Sequence, residues 1–204
     1  MVKLEIFDNL STLFNKNGFR LYIIGGTSRD LLLGEDVDDY DFVTDATPSE
    51  MKEFLPDANY RFEKYGTVRL KIDGFHIDIT TLRKESSYVD ARHPLEIEFT
   101  KSLDEDYKRR DFTINAIYID ENYNVIDKCG GVSDLNNGVI RFIGDPLTRI
   151  KEDPLRIIRA ERFKTRFNFA YAGNLGDLLR ENSYLLDKLN PEKIKEEKKK
   201  FKSK

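Results

Sequence analysis

Leu4, Ile6, Phe7, Leu10, Leu13 and Phe14 recur at the spacing of one helix face, which predicts an amphipathic helix over about residues 3–16, stopped by Asn17-Gly18. Arg20 to Ile24 (RLYII) is a short continuous apolar run and reads as a buried strand leading into Gly25-Gly26. A short helix from Ser28 to Leu33 ends at Gly34, and Asp39 to Val43 forms a second strand. Thr47-Pro48-Ser49-Glu50 opens a helix that closes near Leu55-Pro56. Thr67 to Ile72 and Phe75 to Thr81 flank Asp73-Gly74 as a hairpin. In its second strand His76, Asp78 and Thr80 share one face, with Ile77 and Ile79 on the other. Residues 84–94 have no period and read as a polar loop.

Ile114 to Ile119 and Asn124 to Asp127 read as strand or helix-end segments around a turn. Gly130-Gly131 and Asn137-Gly138 mark turns, and Val139 to Ile143 a strand. Asp145-Pro146 opens one long helix reaching about Phe167. Leu175, Leu178, Leu179, Leu185, Leu186 and Leu189 predict one or two further helices, and the lysine-rich run from Lys193 a frayed helix or tail. The pattern predicts an α+β fold. A small mixed sheet carries carboxylates on one face and helices on the other, and helices follow from about residue 145.

Composition narrows this picture. Net charge is −3 with both signs interspersed, so a nucleic-acid partner has to act through local patches. The single Cys129 excludes an internal disulfide, and with only His76 and His93 a multi-histidine metal centre is not expected. No run is long enough for a membrane span and no signal-peptide core opens the chain, so a soluble cytoplasmic protein with no membrane partner is expected.

The candidate chemistry begins at Asp39-Tyr40-Asp41. On a strand Asp39 and Asp41 point to one side and Tyr40 to the other. Two carboxylates so spaced can hold a divalent metal against a triphosphate, with Asp78 as a third candidate. Gly25-Gly26 upstream offers backbone N–H groups to phosphate with no Cβ in the way. Together they point to nucleotidyl transfer. A second constellation lies on the expected long helix, where Glu152, Asp153, Arg156 and Arg159 fall within about a third of the circumference. A solvated face laced with ion pairs would have the same pattern. The chemistry of bases gives another meaning. Cytosine and adenine each set an amine donor beside a ring-nitrogen acceptor, which an Asp153–Arg156 pair matches and which uracil and guanine do not. CTP and ATP would be admitted and UTP and GTP rejected. Arg109-Arg110-Asp111 adds arginines that can clamp a triphosphate and a carboxylate that can bond a ribose hydroxyl.

GGTSRDLLLG, DYDFVT, HIDITTLR, RRDFTINA, DKCGGVSDL, IRFIGDP and KEDPLRIIRAERF occur in this order. Over about residues 5–165 the chain resembles the class II tRNA nucleotidyltransferases (CCA-adding enzymes) and bacterial poly(A) polymerases of the DNA polymerase beta-like nucleotidyltransferase superfamily. The resemblance implies a catalytic head over 1–144 and a helical, nucleotide-selecting neck over 145–204. It implies Mg²⁺ held by Asp39 and Asp41 with Asp78 as third carboxylate, Gly25, Gly26 and Arg29 at the incoming nucleotide, and Arg110 and Asp111 on its phosphates and sugar. Asp153 and Arg156 would select C or A, supported by Arg159 and Arg162. The implied reaction adds C and A from CTP and ATP to tRNA 3′ ends with release of pyrophosphate. Its alternatives are A addition, poly(A) synthesis, or a nucleotide- and RNA-binding head that needs a partner chain. The loop at 84–94, with Tyr88, Asp90, Arg92 and Pro94 in the family pattern and His93 in place of a frequent arginine, would assist the change from CTP to ATP. Thr27 and Ser28 stand where relatives are usually more apolar, with little effect expected because the backbone acts there. Relatives continue with body and tail helices, so the resemblance implies a fragment, a short form, or a partner chain or oligomer that supplies the rest.

Overall fold

The computed structural model describes residues 4–90 and 93–201, with backbone only for 86–90 and 93–96. In chain order the elements are α1 (Glu5–Lys16), β1 (Leu21–Ile23), α2 (Gly25–Leu33), β2 (Asp39–Thr44), α3 (Pro48–Phe54), β3 (Asn59–Phe62), β4 (Thr67–Ile72), β5 (Phe75–Thr81), β6 (Arg83–Asp90) and β7 (His93–Phe99). There follow α4 (Leu103–Arg109), β8 (Ile117–Ile119), β9 (Val125–Asp127), α5 (Gly131–Asn136), β10 (Val139–Ile140), α6 (Pro146–Glu152), α7 (Leu155–Phe167), β11 (Ala170–Tyr171), α8 (Leu175–Glu181) and α9 (Pro191–Lys199). They form two compact units. One comprises residues 1–84, 97–109 and 115–129, the other 85–96, 110–114 and 130–204.

In the first unit the described strands form a mixed sheet in the order β3-β4-β5-β2-β1-β8-β9. β2 and β5 run parallel, Asp39 opposite His76 and Asp41 opposite Asp78, and β4 and β5 are the expected hairpin. Alternation sorts the two faces. Tyr40, Phe42, Val68, Ile77 and Ile79 turn to a core with Phe7, Leu10 and Phe14 of α1 and Met51 of α3. The other face carries Asp39, Asp41, His76 and Asp78, and further along Tyr22, Val43, Leu82 and Tyr118 pack together. α3 begins as expected: Thr47 accepts from the Glu50 backbone N–H while Glu50 accepts from that of Thr47.

Tyr123 ties α1 to this core. Its hydroxyl accepts from Leu4 N–H at 2.7 Å and donates to Asp8 at 2.8 Å, and its ring meets Phe7 edge-on. Burial, helped by Asp8, pushes its pKa from the ordinary 10 to about 12. The neutral phenol is the form the fold favours, so this contribution is whole below pH 10 and is lost as pH rises through about 12. Tyr123→Phe is expected to flatten the loss of stability between pH 10 and 12, as read by denaturant unfolding across that range.

Several elements differ from the sequence expectation. α2 starts at Gly25, three residues early, so the Gly-Gly pair opens the helix itself. Residues 84–94 fall mostly in β6 and β7, a two-stranded sheet, rather than in a loop. Residues 84–90 (KESSYVD) have no hydrophobic period to reveal a strand, and the alternation of Leu95, Ile97 and Phe99 in β7 begins only beyond the stretch read as a loop. Arg92 and the side chains of Tyr88, Asp90, His93 and Pro94 lie outside what is described. The turn at Gly130-Gly131 leads into α5, and the strand expected over 139–143 is confined to β10, which pairs in parallel with β11.

The largest change is in the second unit, where the single long helix is two. α6 ends at Asp153, which is extended (φ −148°, ψ 95°), and α7 starts after Pro154. A proline forces the preceding residue out of the helical region, so Asp153 sits in the break and not on a common helical face with Arg156. The C-terminal run forms α9, anchored on α7 by an ion pair between Glu197 and Arg162 at 3.2 Å, both nearly buried.

Candidate active site

In the first unit, β2 and the start of α2 build one cluster. Gly25 has φ +67°, which favours glycine, and a Cβ there would stand 3.0 Å from the Asp41 carboxylate and press it aside. Gly26 N–H points to the same carboxylate oxygen at 3.4 Å. Thr27, 1% exposed, accepts from Asp41 N–H at 2.7 Å and donates to the Asp39 carbonyl at 3.2 Å. Its hydroxyl stands in for a neighbouring strand at the residues that carry both carboxylates, so a side chain acts where the backbone alone was expected to. Thr27→Val would leave two backbone groups without this partner, at a cost of about 1–3 kcal/mol of stability. Thr27→Ser is expected to retain that stability in denaturant melts. Arg29 is buried (3% exposed), donating to Asp30 at 2.8 Å and Asn115 at 2.7 Å.

Asp39 is exposed and Asp41 half-buried on one side of β2. Asp78 lies beside Asp41 in register, but its carboxylate is held side-on by Arg69 of β4 at 3.0 and 3.3 Å. Among the described residues no three His, Cys, Asp or Glu side chains gather as a ready metal-ligand set. Asp39 and Asp41 nonetheless fit a hard divalent cation. They are two oxygen donors on one face, and Mg²⁺ characteristically takes one or two carboxylates and completes its shell with water and substrate phosphate.

In the second unit Arg159 joins two carboxylates, bonding Asp111 at 3.2 Å and also Asp153. Asp153 (7% exposed) further accepts from Leu155 N–H at 3.1 Å, which caps α7. Arg156 (4% exposed) donates to the Arg149 carbonyl at 2.7 Å and to Glu152 at 2.9 Å. Such burial sets aside a solvated ion-pair face. Arg110 is tied in through its carbonyl, which accepts from Arg149 at 2.6 Å. Arg162 points to Glu197, and burial lowers its pKa against the opposing effect of that carboxylate.

A family model for the poly A polymerase head domain matches residues 21–141. The chain belongs to the poly A polymerase head-domain family. Its matched segment contains β2, β5 and the Arg110-Asp111 turn. Among curated relatives of this family member, a CCA-adding enzyme of Lactobacillus helveticus is 43% identical over 180 residues, covering 88% of this chain and 45% of the relative. The solved Bacillus stearothermophilus CCA-adding enzyme in complex with CTP superposes with a TM-score of 0.87 at 33% identity, over 98% of this chain and 49% of that one. The Thermotoga maritima CCA-adding enzyme complexed with tRNA matches with a TM-score of 0.80 at 28% identity, over 100% and 48%. The chain thus spans about half the length of the relatives it matches.

Within this frame, sequence reasoning missed Arg149, Arg69 and Asn115. Arg149, buried in α6, donates to Glu152 at 2.6 Å and to Arg110, and its helical i,i+3 spacing to Glu152 was the available sign. Arg69 was recoverable as the cross-strand partner of Asp78 once the Asp73-Gly74 hairpin set the register.

Proposed function

We propose that the chain carries the nucleotidyl-transfer chemistry of a CCA-adding enzyme: C and A from CTP and ATP are joined to a tRNA 3′ end and pyrophosphate is released. The supporting observation is the placement of Asp39 and Asp41 on one face of β2, with the Asp41 carboxylate against the Gly25-Gly26 helix start. The relatives described above are CCA-adding enzymes by name, one solved in complex with CTP and one with tRNA.

In this reading residues 1–144 form the catalytic head and 145–204 the nucleotide-selecting part. Mg²⁺ held by Asp39 and Asp41 would neutralise charge on the triphosphate and at the attacking oxygen. Asp78, once released by Arg69, would serve the 3′-hydroxyl side. Gly25 and Gly26 give the phosphates backbone N–H groups with Arg29 bracing beneath them, and Arg110 and Asp111 take phosphate and sugar. Asp153 and Arg156 read the amine and ring nitrogen of C or A, with Arg159 fixing Asp153 and Arg162 supporting α7. Most of the rate would come from alignment and charge neutralisation. We place the reaction in the cytoplasm on the strength of its proposed tRNA and nucleotide substrates; no described helix is long and apolar enough to cross a membrane.

Mg²⁺-dependent CTP binding, measured by equilibrium dialysis, is expected to disappear in Asp39→Ala and Asp41→Ala and to be outcompeted by ATP but not by UTP or GTP. CTP binding and turnover that survive both substitutions would refute the metal assignment. The family model's name keeps a second product in view, a run of A on RNA 3′ ends.

A further inference from the structure

We propose that the carboxylate-side face of β3, β4 and β5 is a docking surface for the phosphodiester backbone of the single-stranded RNA end that is extended. This rests on the function proposed above and adds to it the place where the RNA strand lies.

The first observation is register. Two rows run straight across the strands on one face: Arg69, Asp78, Asp41 and, one step along, Lys71, His76, Asp39. Strands are about 4.8 Å apart, so Lys71 and Arg69 stand about 10 Å from the carboxylates where the 3′ end must react. The opposite flank of β2 is taken by Gly25-Gly26 and Thr27 of α2. An RNA strand ending at Asp41 therefore leaves over β5 and β4.

The second observation is charge. The whole chain is net −3, yet residues 59–72 carry Arg61, Lys64, Arg69 and Lys71 against Glu63 alone; Glu63 is paired with Lys52 and Arg69 with Asp78, so the basic excess of this stretch is carried by Arg61, Lys64 and Lys71. All four basic residues are exposed. Aromatic rings lie among them: Phe62 has the Arg69 guanidinium 4.4 Å and that of Arg61 5.9 Å from its centroid, and Lys64 stands 4.6 Å from Tyr65. Basic groups interleaved with rings suit a single strand, whose phosphates take the cations and whose bases take the rings. Basic residues on an edge strand can also serve to block sheet pairing, a role open to Arg61 on the edge strand β3 but not to Lys71, whose strand β4 is flanked by β3 and β5.

The test is fluorescence anisotropy of a labelled single-stranded RNA ending as tRNA does before its last three nucleotides. It is titrated with the 204-residue chain and with an Arg61→Glu, Lys71→Glu variant between 50 and 200 mM salt, with CTP binding measured alongside. Neither position belongs to the catalytic set. The variant is expected to bind RNA at least about tenfold more weakly, with the log–log salt slope shallower by about 1.4, two phosphate contacts at about 0.7 each, and CTP affinity unchanged. Unchanged RNA affinity and slope in a variant that still binds CTP would overturn the surface, as would a wild-type chain that binds CTP and no RNA. A chain that binds RNA through Arg61 and Lys71 but neither binds nor transfers CTP would support the surface and refute the proposed function.

Discussion

Replacing Asp41 by asparagine is expected to lower nucleotide transfer by about three orders of magnitude while leaving the fold intact. The substitution keeps the shape, and its amide oxygen can still accept the Gly26 N–H that Asp41 now takes at 3.4 Å. What is lost is an anionic oxygen for a hard cation. Metal neutralisation of a transferring phosphoryl group is worth several kcal/mol, and each 1.36 kcal/mol is a factor of ten in rate, so a loss of about 4 kcal/mol gives about a thousandfold. Asp39→Asn should behave alike. Asp78→Asn should cost less, because Arg69 already occupies that carboxylate, and the half-exposed pair adds little to stability. Single-turnover rates at saturating nucleotide, with thermal melts as control, would check the order. Equal losses at all three positions would mean that Arg69 gives up Asp78 without cost.

The second large effect is expected at Asp153. Asp153→Ala removes the acceptor proposed to face the exocyclic amine, and it removes the partner that fixes Arg159. Discrimination between CTP and UTP should fall by about 5- to 150-fold, the range that 1–3 kcal/mol of base recognition spans. Stability should fall as well, since the Leu155 N–H loses its cap and a largely buried guanidinium keeps only Asp111. The ratio of kcat/KM for CTP over UTP, taken below the melting transition, separates the two effects. A variant that is merely less stable would keep the ratio.

Much of the first unit was legible because β4, β5 and the start of β2 alternate, and β1 is a short continuous apolar run. Period 2 put Asp39 with Asp41 and His76 with Asp78, and Asp73-Gly74 marked the β4–β5 hairpin, whereas the parallel pairing of β2 with β5 that brings Asp78 beside Asp41 is a closure the local pattern does not encode. The second unit was less so. A helical wheel over 145–167 takes no account of the restriction Pro154 places on Asp153, and that break is what lets Asp153 cap α7. The Arg159 bridge joins Asp111 and Asp153 across 48 and 6 residues, a closure no local pattern encodes. Thr27 was underrated because sequence shows a hydroxyl but not the absent strand neighbour it replaces. α9 was read as a frayed helix or tail; the helix is there, and what its charge hid is Glu197, which it buries against Arg162.

The central claim is tested most directly by incorporation into a tRNA lacking its 3′ CCA, with Mg²⁺ and CTP, ATP, both, UTP or GTP, and products resolved at single-nucleotide length. The account predicts two additions with CTP, a third when ATP is also present, and none with UTP or GTP. Incorporation of all four nucleotides at similar rates, or addition that persists in the Asp39→Ala, Asp41→Ala double variant, would contradict it.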